Sequence, residues 1–320
     1  MSSISNHPYV KVMRYWFRRF REHPNAVPFL ITKALEVLTF KLSKDNMKSK
    51  EVSEEILESS RQVKSLPKTP RVSVVVPAYI RNELELRQLK RLVGRLSRQV
   101  YPTDIVVVDD HSPIRYSLSH IVLLQRSRKN GGPASARNKG IEVALSLGSD
   151  IIAFTDSDCI PAKDWSRSFV QKFKNDPTCH ILSGLTMSHD RNWFGTYHDM
   201  NGTLNGRRFT GSELLLYGPT CNLAIANEVA QQLRFNPLFN IAAGEDIEFC
   251  IRALRMGFNI KHCRDAVVRH DFRYLWINPI GNLVKFIRQF QKYSKGETIL
   301  LGEVPNYYSF LERTEEINSI

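Results

Sequence analysis

A chain of 320 residues with 42% hydrophobic and 24% charged residues has an ordinary globular composition and enough length to bury one large core. Its net charge of +13 suits anionic partners: nucleotide phosphates, acidic lipid surfaces or nucleic acid. Cys159, Cys179, Cys221, Cys250 and Cys263 are odd in number and lack CxxC spacing. That argues against a disulfide scaffold or a zinc site and reads as small buried residues in a reducing compartment.

The first 44 residues hold eight Lys or Arg against Glu22 and Glu36, so +6 of the excess sits there. Two amphipathic helical stripes are expected across residues 10–44. Val10, Met13, Phe17 and Phe20 carry the first, and Val27, Ile31, Ala34, Leu35, Leu38 and Leu42 the second, after Pro24 and Pro28. Such a segment can lie on an anionic membrane, pack on its own domain or join a second copy. The N-terminus lacks the apolar core of a signal peptide, and Phe29–Leu42 carries Lys33, Glu36 and Lys41, so it does not span a bilayer. The expected location is cytoplasmic, with peripheral attachment to the inner membrane face as an option. Residues 45–70 are charged and close in Pro67 and Pro70, which reads as a linker or mobile helix.

Regular alternation begins at Arg71. Val72–Val76 reads as a buried strand, Leu84–Gln99 as a helix, Ile105–Val108 and Ile121–Leu124 as strands, and Ala134–Leu147 as a helix. Ile151–Phe154 is the next strand and Trp165–Lys174 the next helix. Nearly continuous apolar strands alternating with helices predict an α/β fold with a doubly wound, mostly parallel sheet. In such sheets ligands bind beyond the carboxyl ends of the strands. The polar motifs occur at those ends: Pro77-Ala78-Tyr79, Asp109-Asp110-His111-Ser112 and Asp156-Ser157-Asp158.

Asp156 and Asp158, two residues apart where a strand leaves the sheet, can converge on one hard divalent cation, Mg²⁺ or Mn²⁺. Asp109 reads as a turn former, while Asp110 can accept a hydrogen bond from the N3–H of uracil or thymine. Asn130-Gly131-Gly132-Pro133 leads into a helix carrying Arg137, a segment able to offer backbone N–H groups and a guanidinium to phosphate, or simply to turn. Gly244-Glu245-Asp246 opens another helix, closed by Gly257, where the carboxylates serve either as dipole caps or as a general base. His270 ends a β-branched run and is either a packed histidine or a nitrogen ligand that would favour Mn²⁺. Residues 185–220, with His189, Trp193, His198 and glycines at 202, 206 and 211, are polar-aromatic and least readable. Pro279–Tyr293 is expected to be helical, with Ile280, Leu283, Ile287 and Phe290 on one face and Lys285, Arg288 and Lys292 on another.

The series VSVVVPAY (72–79), VVVDDHS (106–112), NGGPASARNKGI (130–141), FTDSDCIP (154–161), CNLAI (221–225) and GEDIEFCIRAL (244–254) resembles the family-2 glycosyltransferases of GT-A fold over about residues 71–300. The resemblance implies transfer of a sugar from a nucleotide diphosphate sugar to an acceptor hydroxyl, with inversion. It implies that Asp158 binds the metal directly, that Asp156 shares it or contacts the ribose, and that His270 completes the site. It assigns Asp110 and Tyr79 to the base, groups Pro77, Glu83 and Arg137 with the donor contacts, and sets Asn222 near the donor sugar or diphosphate. Asp246 is the implied base, with Glu245 in reserve. The family usually has Asn after the tyrosine of its first motif; here Ile80 stands there.

The expected organisation is a basic helical extension and linker (1–70) and a catalytic domain (71–275) with nucleotide-binding (71–160) and acceptor-binding (161–275) halves. A helical tail (276–320) follows. The expected donor is a UDP-sugar, or a dTDP-sugar, and the acceptor a glycan, a lipid-linked glycan or a small glycoside. Two rivals are a sugar-phosphate nucleotidyltransferase, whose Gly-rich loop after the first strand is not present here, and a non-catalytic GT-A-like module recruited to membranes. Nucleic acid is not expected, since no recognition motif accompanies the charge.

Overall fold

The structure, a computed structural model, describes Ile56, residues 58–273 and residues 278–317. The helical stripes expected in residues 10–44, with any membrane or dimer contact they make, lie outside the described residues. The β-branched run becomes β1 (Val72–Ala78), followed by α1 (Glu83–Leu96), β2 (Asp104–Asp109), β3 (Val122–Arg126), α2 (Gly132–Ser146) and β4 (Ile151–Phe154). Asn82 caps α1 by accepting a hydrogen bond from the Glu85 N–H. Then come β5 (Cys159–Pro161), α3 (Trp165–Asn175), β6 (Ile181–Ser188), α4 (Trp193–Asn201), β7 (Arg207–Phe209) and β8 (Leu215–Tyr217). The chain continues through β9 (Leu223–Ala226), α5 (Asn227–Gln232), α6 (Glu245–Arg255), β10 (Ile260–His270), α7 (Pro279–Glu303), α8 (Tyr307–Leu311) and β11 (Thr314–Glu316).

The large sheet has the order β3-β2-β1-β4-β9-β6-β10-β5, with β3-β2-β1-β4 and β6-β10 parallel and β9 antiparallel between them. The strand order turns at β1, between β2 and β4, which is where an α/β sheet opens a crevice for ligands. Alternate residues feed two cores: Val75, Val106, Ile152 and Phe154 pack on one face, and Val74, Val76, Val107 and Ala153 on the other. All five cysteines are buried free thiols.

Three parts differ from the sequence expectations. Residues 58–70, read as linker, are fastened to the domain: Asn259 exchanges hydrogen bonds with the Ser59 backbone, and Arg61 lies 4.3 Å from the Phe258 ring centre. The segment 185–220 holds the end of β6, all of α4, and two strands of a small β11-β7-β8 sheet. Arg207 and Arg208 pair with Glu316 and Glu315 there, a match more than a hundred residues apart that local pattern does not reveal. Helix α7 continues past Tyr293 to Glu303, because Leu300 and Leu301 keep its inner face apolar.

Helix α2 lies close enough on β1 that a Cβ on Gly140 would sit 2.2 Å from Val75 Cγ1. Gly140→Ala should therefore overpack the core and lower unfolding free energy by about 1–3 kcal/mol. A shift of the urea midpoint at unchanged slope would register it, and an unshifted midpoint would show that the helix moves aside freely.

Candidate active site

The carboxyl ends of β1, β2 and β4 and the start of α6 open on one cavity of about 750 Å³. Pro77, Tyr79, Asp110, Arg137, Asp156, Asp158, Glu245, Asp246 and His270 all line it. Glu83 and Asn222 do not.

The end of β2 fixes the nucleotide side. Asp109 behaves as a turn former, accepting from the Ser112 N–H at 2.8 Å and pairing with Arg126. Asp110 has partners the sequence did not suggest: its two oxygens accept from the Gly131 and Gly132 N–H groups at 2.9 and 2.8 Å. A carboxylate from the sheet thus caps α2, which has no side-chain cap of its own. Gly132 fits this turn with φ +81°, and a Cβ there would strike the Asn240 backbone at 2.6 Å. Those amides are taken by Asp110, so of the two readings left open for this segment the turn is the one the hydrogen bonds favour. Each Asp110 oxygen keeps a further acceptor lone pair. Ile80, where the family has Asn, is fully buried and donates its N–H to Ser112 Oγ at 2.8 Å.

Arg137 is also committed internally. Its guanidinium, buried to 2% exposure, donates to Glu245 at 2.7 Å and to Asp156 at 3.0 Å. The phosphate fork expected of it is therefore largely filled by carboxylates. The ion pairs joining the end of β4 to the start of α6 outweigh the desolvation of the buried guanidinium and raise its pKa.

Between β4 and β5 the chain turns tightly, Cys159 donating its N–H to the Asp156 carbonyl at 2.9 Å. The β5–β10 register sets His270 opposite Cys159, and the Asp271 N–H donates to the Asp158 carbonyl at 3.1 Å. This brings His270 Nε2 to 3.4 Å from Asp158 Oδ1. The ligand atoms of Asp158, Cys159 and His270 all lie within 4.8 Å of one another. Cys159 is an unsuitable ligand, because burial raises its thiol pKa well above the ordinary value and it donates to the Cys221 carbonyl. Asp158 and His270 remain as an oxygen and nitrogen pair that fits a divalent cation, with the other positions left to water and substrate oxygens. Asp156 turns its Oδ1 to Arg137 instead.

Asp246 sits on the opposite helix start, its Oδ2 accepting from the Thr220 N–H at 3.4 Å and its Oδ1 from the Ile247 N–H at 2.9 Å. Burial first, and then the neighbouring Glu245 charge, push its pKa up to about 7. Glu245 is nearly fully buried and bonded to Arg137, so it is a partner of that guanidinium while Asp246 is the carboxylate poised to titrate.

Two assigned residues are corrected. Glu83 is exposed in the first turn of α1, where it complements the helix dipole. It is Glu85, two residues on, that grips the cavity residue Arg81, at 2.5 Å. Asn222 is completely buried: its Oδ1 accepts from Trp165 Nε1 at 2.8 Å, and its amide donates to the Leu185 and Ala266 carbonyls at 3.0 and 2.9 Å. Its hydrogen-bonding groups are spent on the fold, so it holds β6, α3 and the bulge of β10 together. Within 185–220, His198 is a buried neutral ring, its pKa lowered to about 3 by burial and stacked 4.2 Å from Phe272, while Trp193 is exposed on the surface. Thr203, Leu204, Tyr217, Pro219 and Thr220 are what this stretch lends to the cavity.

Sequence reasoning also missed Arg273, Tyr217, Tyr293, Tyr307 and Glu297, all of which line the cavity. Tyr293 had a partial signal, lying beside Lys292 on the amphipathic tail. Tyr307 had none.

Residues 73–233 match the family described as Glycosyl transferase family 2, just over half of the chain. The chain belongs to that family. Among its relatives, the "Pre-mycofactocin glycosyltransferase" of Mycobacterium tuberculosis is 27% identical over 216 residues, 63% of this chain and 43% of the relative. The "O-antigen chain rhamnosyltransferase RfbN" of Salmonella typhimurium is 24% identical over 219 residues, 64% of this chain and 67% of the relative. The chain thus spans less than half of the first of these. TarS of S. aureus, solved in complex with UDP, superposes with a TM-score of 0.50 at 17% identity, covering 75% of this chain and 72% of that one. This likeness agrees with the mixed sheet in assigning the family-2 chain a GT-A fold.

Asn222→Ala would strand the Trp165 N–H and two buried carbonyls, at about 1–3 kcal/mol for each group left unpaired. Thermal unfolding should fall markedly while nucleotide affinity, measured below the melting range, stays at the wild-type value. A selective loss of nucleotide affinity with intact stability would restore Asn222 to the donor site.

Proposed function

We propose that this family-2 chain transfers a sugar from a nucleotide diphosphate sugar to an acceptor hydroxyl with inversion at the anomeric carbon. The observation that carries the reading is Asp246. It is a cavity carboxylate anchored by two backbone N–H groups, has a pKa near neutrality, and shares that cavity with the Asp158–His270 pair. The O-antigen and pre-mycofactocin names of the relatives support a glycan or small glycoside as acceptor.

The donor base is assigned to Pro77, Tyr79 and Asp110, whose remaining lone pairs suit a pyrimidine N3–H; UDP is favoured and dTDP is the variant reading. Asp158 and His270 would hold a divalent cation, Mn²⁺ or Mg²⁺, which when bound supplies Lewis-acid stabilisation of negative charge on a departing diphosphate. The imidazole nitrogen favours Mn²⁺. Asp246 takes the proton from the acceptor hydroxyl as that oxygen attacks the anomeric carbon from the face opposite the leaving group. One base and in-line attack give inversion, whereas retention by a covalent route needs a nucleophile on the other sugar face. Arg137 touches Glu245 and Asp156, which makes it a positioning residue that holds the two ends of the site together.

Calorimetric titration of UDP, dTDP, GDP and ADP with and without Mn²⁺ should yield Mn²⁺-dependent binding of a uridine or thymidine nucleotide, weakened in Asp158→Asn. Binding that ignores both Mn²⁺ and Asp158 sinks the metal assignment. Asp246→Asn should retain nucleotide affinity and lower turnover, followed as hydrolysis of UDP-sugars, by roughly 10²–10⁴-fold. Unaltered turnover removes Asp246 as base. Because Asp246 works deprotonated, activity should fall as pH drops through about 7. Glu245→Gln, by removing a like charge, should move that acid limb to lower pH, and a limb that stays in place contradicts the coupling.

A further inference from the structure

Helix α7 borders a second groove of about 510 Å³, lined by Arg81, Val284, Lys285, Arg288, Gln289 and Lys292 together with Gly281, and no carboxylate lines it. Arg81 is answered by Glu85, and Lys285 donates to the Arg273 carbonyl at 3.2 Å. Arg288 and Lys292 have no ion-pair partner among the described residues. Two such cations with two more beside them form a site for a compact anion, and phosphate is the group that Arg and Lys recognise best together. The groove is continuous with the candidate active site, since Arg81, Lys285, Gln289 and Lys292 line both.

The same end of α7 exposes apolar side chains. Ile280 is 76%, Val284 41% and Leu283 37% exposed, at the i, i+3, i+4 spacing that puts them on one helix face. An exposed apolar strip beside a cationic groove is the pattern of a helix lying in the interface of an anionic bilayer. The groove carries no aromatic lining on which bases could stack, which disfavours single-stranded nucleic acid. The deeper cavity is lined by Asp156, Asp158, Glu245 and Asp246, so an incoming phosphate finds its cations at this outer end.

We infer that the α7 groove receives the phosphoryl head of a lipid-phosphate-linked acceptor, presented at a bilayer on which Ile280, Leu283 and Val284 rest. The inference rests on the transferase reading and names its acceptor class: the lipid phosphate docks between Arg288 and Lys292 and directs the attached hydroxyl inward towards Asp246.

The test uses the full chain with vesicles of phosphatidylcholine alone or containing phosphatidic acid, read by co-sedimentation, with UDP affinity measured in parallel. Wild type should prefer the phosphatidic acid vesicles. Arg288→Glu, which changes the local charge by two, should weaken that binding roughly thirtyfold. Ile280→Ser with Leu283→Ser should weaken it as well, and UDP affinity should hold in both variants. Vesicle binding unchanged in Arg288→Glu overturns the inference. So does a variant pair in which the serine changes are silent while inorganic phosphate competes with the vesicles, for that describes an anion site without a lipid surface. A parallel fall in UDP affinity in Arg288→Glu assigns the groove to the donor and also overturns it. Wild type that binds these vesicles as expected but binds no nucleotide would instead sink the transferase reading and leave the lipid surface standing.

Discussion

The buried guanidinium of Arg137 is the constraint on which the site depends. A charge at 2% exposure is tolerable only with close counter-charges, and Glu245 and Asp156 supply them from α6 and from the turn after β4. One side chain on α2 therefore fixes the separation of the two segments that carry the candidate base and the candidate metal ligand. It also sets their electrostatics. With Glu245 held by Arg137, the residual repulsion and the burial fall on Asp246, whose pKa rises, while Asp158 on the other side faces His270. Two neighbouring carboxylates at a helix start thus acquire different tasks from their partners, and position in the sequence alone does not separate them.

A second constraint sets the place of His270. Strand β10 is bulged between Cys263 and Val267 relative to β6, and the Ala266 carbonyl freed by that bulge is taken by Asn222. The tie needs Gly184, where a Cβ would lie 2.3 Å from that carbonyl and 2.4 Å from the Asn222 oxygen. Downstream of the bulge the register puts His270 opposite Cys159 and beside Asp158. A shift of one residue would turn every later side chain of β10 to the other face and remove the candidate nitrogen ligand, His270, from the site. Asn222 thus bears on the candidate site through this register, from outside the cavity.

What was legible in the sequence follows from this division. Strands β1, β2 and β4 are buried on both faces and read as apolar runs, so the turning point of the sheet and the motifs at its edge were visible: Pro77, Asp110, Asp156 and Asp158. Partners were not visible. That Asp110 would cap α2 and that Arg137 would take Glu245 across 108 residues are outcomes of packing between distant elements. The stretch 185–220 was opaque because Tyr197 on α4 is core beside Phe286 and Phe290 of α7 while Trp193 is exposed, and because β7 pairs with β11, beyond any local window. Tyr307 reaches the cavity only because α7 runs ten residues further than its first amphipathic stretch announces.

The distribution of charge within the cavity then gives the site a direction. Asp156, Asp158, Glu245 and Asp246 line its inner walls, while Arg273, Lys285 and Lys292 stand towards α7. Arg137 answers Glu245 and Asp156, so the uncompensated carboxylates are Asp158 and Asp246; on the proposed reading, the further positive charge that a diphosphate needs fits at Asp158 with His270. The same carboxylates favour a neutral hydroxyl that must lose a proton. An anion carried by the other substrate is repelled from the depth of the cavity and attracted to α7. In the proposed transfer, fixed charges separated in this way would orient a neutral hydroxyl inward and a phosphate outward before any chemistry occurs, and orientation obtained in advance lowers a barrier by restricting motion that would otherwise be lost in the transition state.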